Sequence, residues 1–151
     1  MNDSIDRTIL AILQENARTT NTEIGRRLEL APSGILERIR KLEKRGLITG
    51  YHASLNAGQL GFGMTAFLFV QTEDRVGDTT TARRLGQLAE VEEVHHISGE
   101  DCYLVKVRCA DHDDLGRILK EQIGAIRSVK SSRTCIVMET IKEGGLLPIK
   151  P

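Results

Sequence analysis

Residues 31–47 read APSGILERIRKLEKRGL, and this stretch decides the fold of the N-terminal part of the chain. Ile35, Ile39 and Leu42 recur at helical spacing, which predicts a helix with one buried stripe, beginning at the proline. Gly46 follows, where a left-handed residue commonly ends a helix. Five lysines and arginines fall within positions 38–45. A solvated helix face would explain them, and so would a surface that contacts phosphates.

Two shorter helices are predicted upstream of this stretch. Apolar residues recur at helical spacing and predict a first helix over residues 4–16. Thr20 followed by Glu23 is a capping box, which predicts a second helix over residues 21–28. A short second helix, a proline break and a basic third helix together indicate a helix-turn-helix. A three-helix structural module without a role in DNA binding stays open as an alternative.

The exposed face of the third helix is the predicted DNA-binding surface. In a helix-turn-helix, the start of the last helix meets base edges in the major groove, and flanking groups hold phosphates. Small residues at the helix start permit close approach, an acid can accept from cytosine, and basic groups can bind guanine or phosphate. The predicted DNA-binding residues are Ser33, Gly34, Glu37, Arg38, Lys41, Lys44 and Arg45.

A second domain is predicted beyond a glycine-containing linker. The linker, residues 51–62, is interpreted as a short strand and a hinge between domains at residues 1–50 and 63–151. The predicted elements are strand 64–72, helix 79–88, strands 91–98 and 102–109, helix 111–123 and strand 129–141. The order βαββαβ is that of the ferredoxin-like motif, so the predicted fold class is α+β.

The first strand of this domain predicts a partner for its sheet. A βαββαβ sheet carries its two helices on one face and leaves the other face bare. Phe67 and Phe69 alternate with Leu68 and Val70, so both faces of the strand are apolar. We therefore predict a homodimer in which sheet packs on sheet. Its dyad would present two helix-turn-helix units to a palindromic site in double-stranded DNA.

The composition excludes several classes of protein. The chain has 151 residues, no net formal charge, 40% hydrophobic residues and 28% charged residues, as in ordinary soluble domains. No apolar run approaches the roughly 18 residues of a membrane span, and the first residues lack the pattern of a signal peptide. Three scattered cysteines indicate reduced thiols. The prediction is a cytoplasmic protein without a membrane segment.

Four segments resemble the Lrp/AsnC family, named after the leucine-responsive regulatory protein and the regulator of asparagine synthetase. They are IDRTIL at residues 5–10, LERIRKLEKRGLITGY at 36–51, SGEDCYL at 98–104 and RTCIVME at 133–139. The resemblance covers nearly the whole chain. It implies a winged type of helix-turn-helix, a ligand-binding ferredoxin-like domain, a dimeric unit and often an octamer. One departure is Ala31, where the family commonly has a serine that caps the third helix.

The turn around Gly99 is the predicted effector site. Exposed amides at a glycine turn can hold a carboxylate, and neighbouring acids can hold an amino group. An ordinary hairpin turn explains the same residues. The resemblance implies that a free amino acid binds at this loop, at the dimer interface. Many members have an acid where this chain has Cys102. The implied effector-binding residues are Gly99, Glu100, Asp101, Cys102, Tyr103 and Thr134.

Catalytic and metal sites are not predicted. Adjacent strand residues point to opposite faces, so His95 and His96 are poorly placed to share one metal ion. No phosphate loop, dinucleotide fingerprint or Cys-His-acid pattern is present, which argues against an enzyme and a resident cofactor. One alternative remains: haem-pathway decarboxylases look like this same two-domain family, and one of these histidines could act on a tetrapyrrole.

Overall fold

The computed structural model describes residues 3–150, so the outer limits of the predicted domains, at residues 1 and 151, lie outside the described residues. The described residues form two compact units. One consists of the residues up to Ser54 together with those from Lys142 onward, and the other is Leu55–Ile141. The C-terminal tail is thus grouped with the helix-turn-helix, whereas the sequence prediction placed it in the second domain. No helix among residues 3–150 has the length and apolar character needed to cross a membrane.

Three helices build the first unit: α1 (Ser4–Glu15), α2 (Asn21–Leu28) and α3 (Pro32–Lys44). One half of the predicted capping box of α2 is confirmed, because the Thr20 side chain accepts a hydrogen bond from the backbone N–H of Glu23. The other half would use the Glu23 carboxylate, which instead binds two arginines. The Glu23 carboxylate forms ion pairs of 2.9 Å with Arg26 and Arg27, and these bonds lower the pKa of Glu23 to about 2.

The core of this unit is made of one apolar stripe from each helix. Its buried members are Ile9, Ile24, Ile35, Ile39 and Leu42. Full burial of one such side chain is worth about 1.5–3 kcal/mol, so the shared core holds the three short helices together.

The turn between α2 and α3 depends on a glycine. A Cβ atom on Gly25 would lie 2.5 Å from the carbonyl oxygen of Leu30, which no side chain tolerates. Glu29 ends α2 in a left-handed conformation with φ of 55°. Together these two residues let the chain reverse sharply and start α3 close to α2, as a helix-turn-helix requires.

The second unit is a four-stranded antiparallel sheet with helices on one face. Its elements are β1 (Met64–Thr72), α4 (Thr80–Leu85), β2 (Val91–His96), β3 (Tyr103–Cys109), α5 (His112–Arg117), a π-helical segment (Ile118–Ile123) and β4 (Val129–Ile136). The strand order is β2-β3-β1-β4, which confirms the predicted α+β ferredoxin-like arrangement.

The predicted end of the last strand and the predicted strand in the linker are both wrong. Strand β4 ends at Ile136 and not at residue 141, because its partner β1 begins at Met64 and offers its last pairing group at Thr65, whose carbonyl accepts from Val137 at 2.9 Å. The linker contains a short 3₁₀ helix, Gly58–Leu60, and no strand. An extended segment becomes a strand only when another strand pairs with it, and none of the four described strands pairs with residues 51–57.

The two faces of the sheet differ in polarity. On the helix-covered face, Ala66, Leu68 and Val70 of β1 are fully buried in a core shared with both helices. On the other face, half-buried Phe67 and Phe69 form an apolar centre. This face becomes charged toward β2, where Lys106 of β3, only 7% exposed, pairs with Glu92 at 2.9 Å.

Candidate nucleic-acid and effector sites

The predicted DNA-binding residues gather on one surface of α3. A shallow concavity of about 430 Å³ is lined by Asp6, Gly34, Glu37, Arg38, Lys41, Lys44 and Arg45. Six of the seven predicted residues are therefore neighbours, and the seventh, Ser33, is exposed in the first turn of the same helix. Four basic and two acidic side chains line the concavity, a charge balance that favours anionic over cationic ligands.

The start of α3 is open to a ligand. Ala31 occupies the cap position in an extended conformation and makes no side-chain hydrogen bond to the helix. A Cβ atom placed on Gly34 would find no atom within 4 Å. The backbone of the first turn is consequently accessible, as direct approach to a DNA groove demands.

The basic residues of the concavity differ in how firmly they are held. Lys41 pairs with Glu37 at 2.7 Å, but both side chains are 68% exposed, and such surface pairs are weak and easily exchanged. The bond to Lys41 lowers the pKa of Glu37, which therefore stays ionised. Arg38 is held more strongly: its Nη1 atom lies 2.8 Å from carboxylate oxygens of both Asp3 and Asp6.

The turn at Gly99 has a left-handed backbone and is exposed to solvent. Gly99 has φ of 119°, a conformation that strongly favours glycine, and the turn is closed by a 3.0 Å hydrogen bond from the Ile97 N–H to the Cys102 carbonyl. Gly99 and Glu100 are exposed, so their backbone groups can be reached from solvent.

The six implied effector residues do not converge on one side of the sheet. Tyr103 is 2% exposed on the helix-covered face and donates its hydroxyl to the Asp78 carbonyl at 3.2 Å. Thr134 lies on that same face, opposite Leu68 in the register of β4 and β1. Asp101 instead accepts a 3.3 Å bond from Arg133, which belongs to the face without helices. Within one chain, Cys102 packs against the buried core that contains Tyr103, whereas Asp101 contacts Arg133 of the other face, so the six residues do not form one pocket.

Sequence reasoning missed several partners of the predicted residues. The Arg133 guanidinium lies 3.9 Å from the centre of the Phe69 ring and binds Asp101, so a cation, an aromatic ring and an acid meet beside the Gly99 turn. Strand alternation could have placed Arg133 and Phe69 on one face. No local pattern connects Asp3 and Asp6 with Arg38.

The two adjacent histidines are separated by the sheet. His95 pairs with Glu93 at 2.9 Å, opposite Leu104 in the register of β2 and β3. The His96 ring lies 5.3 Å from the ring of Tyr103, on the helix-covered face. Among the described residues, no group of three or more His, Cys, Asp and Glu side chains is arranged to hold a metal ion.

A helix-turn-helix whose third helix is basic, followed by a ferredoxin-like domain, is the architecture of a two-domain DNA-binding transcriptional regulator. Comparison with known families agrees: residues 2–49 match the winged helix-turn-helix DNA-binding family, and residues 65–147 match the Lrp/AsnC ligand binding domain. The chain belongs to the Lrp/AsnC family.

Relatives and solved structures match along almost the full length. The leucine-responsive regulatory protein of Escherichia coli is 36% identical over 152 residues, which cover 98% of this chain and 92% of the relative. The structure of E. coli AsnC superposes with a TM-score of 0.89 at 28% identity, covering 97% of this chain and 98% of AsnC. A transcriptional regulator of Neisseria meningitidis in complex with L-methionine gives 0.90 at 28% identity, covering 98% and 97%. These similarities support the regulator and not the tetrapyrrole decarboxylase.

Proposed function

We propose that the concavity on α3 is the DNA-reading surface of this regulator, with Ser33, Gly34, Glu37, Lys41, Lys44 and Arg45 facing the duplex. The observation that carries the proposal is that these residues, all but Ser33, line one basic concavity, next to the accessible first turn of α3. In this arrangement the small residues approach base edges, Glu37 can accept from cytosine, and the basic side chains hold phosphates. A cytoplasmic location accompanies this function.

The test removes two lysines from the surface. We expect the Lys41→Ala, Lys44→Ala variant to bind the region upstream of its own gene more weakly, and to lose affinity for unrelated duplexes to the same extent. Each lost phosphate contact should flatten the dependence of log K on log salt by about 0.9. The matched control is Lys120→Ala, Lys130→Ala, which removes two exposed lysines of the second unit. Equal affinity and salt dependence in the two double variants would contradict the proposal.

We further propose that the effector is a free amino acid bound at the Gly99 turn. The exposed amides around Gly99 suit the carboxylate, and the carboxylate of Asp101 or Glu100 suits the ammonium group. Two structural neighbours are described as complexes with L-methionine, the regulator from N. meningitidis and the feast or famine regulatory protein of Mycobacterium tuberculosis. Because this chain has Cys102 where many family members have an acid, the ammonium group of the effector would contact Asp101 or Glu100 instead.

We propose a homodimer, with octamers as the larger assembly, in which the helix-free faces of two sheets meet. The support is the apolar centre of that face at Phe67 and Phe69, which a second copy would remove from water. Tyr103 and Thr134 lie on the helix-covered face, so this interface would leave both outside a pocket formed at the helix-free face.

A further inference from the structure

Arg38 differs from its basic neighbours because two carboxylates already hold it. Its Nη1 atom lies 2.8 Å from Asp3 Oδ2 and 2.8 Å from Asp6 Oδ1. Asp6 is only 14% exposed and the Arg38 side chain 32% exposed, so water screens this contact less than it screens the pair of Lys41 and Glu37. An ion pair with partial burial and two acceptors is harder to break than an isolated surface pair.

The same carboxylates organise the start of α1. Asp3 Oδ1 accepts a 2.8 Å hydrogen bond from the backbone N–H of Asp6 and so caps the helix, while its Oδ2 atom receives Arg38. These bonds lower the pKa of Asp3, first through the backbone N–H of Asp6 and then through Arg38, and the two carboxylates raise the pKa of Arg38. One guanidinium therefore ties the capped end of α1 to the middle of α3.

We infer that Arg38 is a positioning residue for DNA reading: it fixes the orientation of α3 through Asp3 and Asp6, and it does not itself read a base or a phosphate. The inference rests on the DNA-reading function proposed for α3. It assigns the specific contacts to the other residues of the concavity. It also explains why Asp3 and Asp6, two acids that would otherwise repel DNA, lie beside α3.

The decisive variant is Asp6→Asn, because the two possible roles of Arg38 predict opposite signs. If Arg38 positions α3, releasing it from Asp6 weakens binding to the upstream region. If Arg38 reads DNA in competition with Asp6, releasing it strengthens binding. Glu15→Gln is the matched control, since it removes one negative charge at an exposed site at the other end of α1.

Full-length variants should be titrated with the upstream duplex and a scrambled duplex at several salt concentrations. We expect Asp6→Asn and Arg38→Ala each to lose about tenfold in the ratio of specific to scrambled affinity, and the double variant to lose no more than either single variant. The salt dependence should stay unchanged in Arg38→Ala, because no phosphate contact is lost. A higher ratio of specific to scrambled affinity in Asp6→Asn than in Glu15→Gln, or a salt slope flattened by about one in Arg38→Ala, would overturn the inference.

The Asp3→Asn variant distinguishes a loss of positioning from a folding defect. Asparagine keeps the capping oxygen but loses the charge, so α1 stays capped while Arg38 loses one of its two carboxylates. We expect a thermal unfolding midpoint near that of wild type together with reduced discrimination between the two duplexes. Unreduced discrimination in Asp3→Asn and Asp6→Asn alike would refute positioning by this ion pair. Failure of the wild-type protein to bind any duplex would instead refute the proposed DNA function, and this inference with it.

Discussion

Ala31 leaves α3 without a side-chain cap. It occupies the cap position of α3 with φ of −64° and ψ of 139°, a backbone that suits a serine cap. Its backbone carbonyl accepts from the N–H groups of Gly34 and Ile35, but its side chain has no oxygen that could accept from a further amide of the first turn. The sequence allowed this departure to be predicted, because cap preference is a property of one position.

Serine at position 31 should therefore stabilise the first unit. We expect Ala31→Ser to increase the free energy of unfolding by about 1 kcal/mol, because its hydroxyl would accept a hydrogen bond from an amide in the first turn of α3. The measurement is denaturant unfolding followed by circular dichroism. Ala31→Val is the control, since valine adds bulk without a strong acceptor. A serine variant no more stable than the valine variant would show that the start of α3 does not need the cap.

At the scale of elements, local periodicity explains what could be predicted. The apolar stripes of α1, α2 and α3 and the alternation in β1 were readable because each pattern repeats within one element. The exposed face of α3 could be predicted too, because it lies opposite the buried stripe of that helix. The end of β4 could not be read in this way, because it depends on where β1 starts to pair. The ion pairs of Arg38 also escaped prediction, since their partners lie 32 and 35 residues away.

No local sequence pattern predicted where the C-terminal tail packs. The Gln14 side chain donates to the Leu147 carbonyl and accepts from the Leu147 N–H, both at 2.9 Å, across 133 residues of sequence. Leu147 and Ile149 line a groove of about 570 Å³ with Leu10 and Leu13 of α1. The Gln14 amide thus pairs with both backbone groups of Leu147, as a residue of a neighbouring strand would.

Removing this side chain should release the tail. In Gln14→Ala, both bonds to Leu147 are lost, and we expect the Leu147 amide to exchange with solvent faster while the core amides of α2 stay protected. The loss in unfolding free energy should be about 1 kcal/mol, since these bonds are exposed. Hydrogen exchange read by NMR is the measurement, with Gln87→Ala, at an exposed glutamine of the second unit, as control. Unchanged exchange at Leu147 would mean that the groove alone holds the tail.

At the scale of the whole molecule, the helix-free face of the sheet is the interface proposed for the homodimer. Phe67 and Phe69 face Cys135 and Arg133 in the register of β1 and β4, so the aromatic centre is bordered by a thiol and by a guanidinium that stacks on Phe69. We expect Phe67→Asp to convert the dimer to monomers at micromolar concentration, because a charge buried in a sheet-on-sheet interface costs several kcal/mol. Sedimentation velocity distinguishes the states. Val76→Asp, at a fully exposed loop position, should leave the assembly intact. Identical sedimentation of the two variants would disprove this interface.

Effector binding and DNA binding must be coupled reciprocally if the second unit regulates the first. An amino acid that changes DNA affinity should have its own affinity changed by DNA by the same factor, roughly 5–150-fold. Calorimetry with L-methionine, L-leucine and then the other amino acids identifies the effector. Asp101→Asn should weaken that binding, since it removes a charge beside Arg133 at the Gly99 turn. DNA affinity without effector should not change. Asp113→Asn, at the exposed start of α5, removes the same charge near the other end of β3 and serves as control. Equal effector affinity in the two variants would exclude Asp101 from the site.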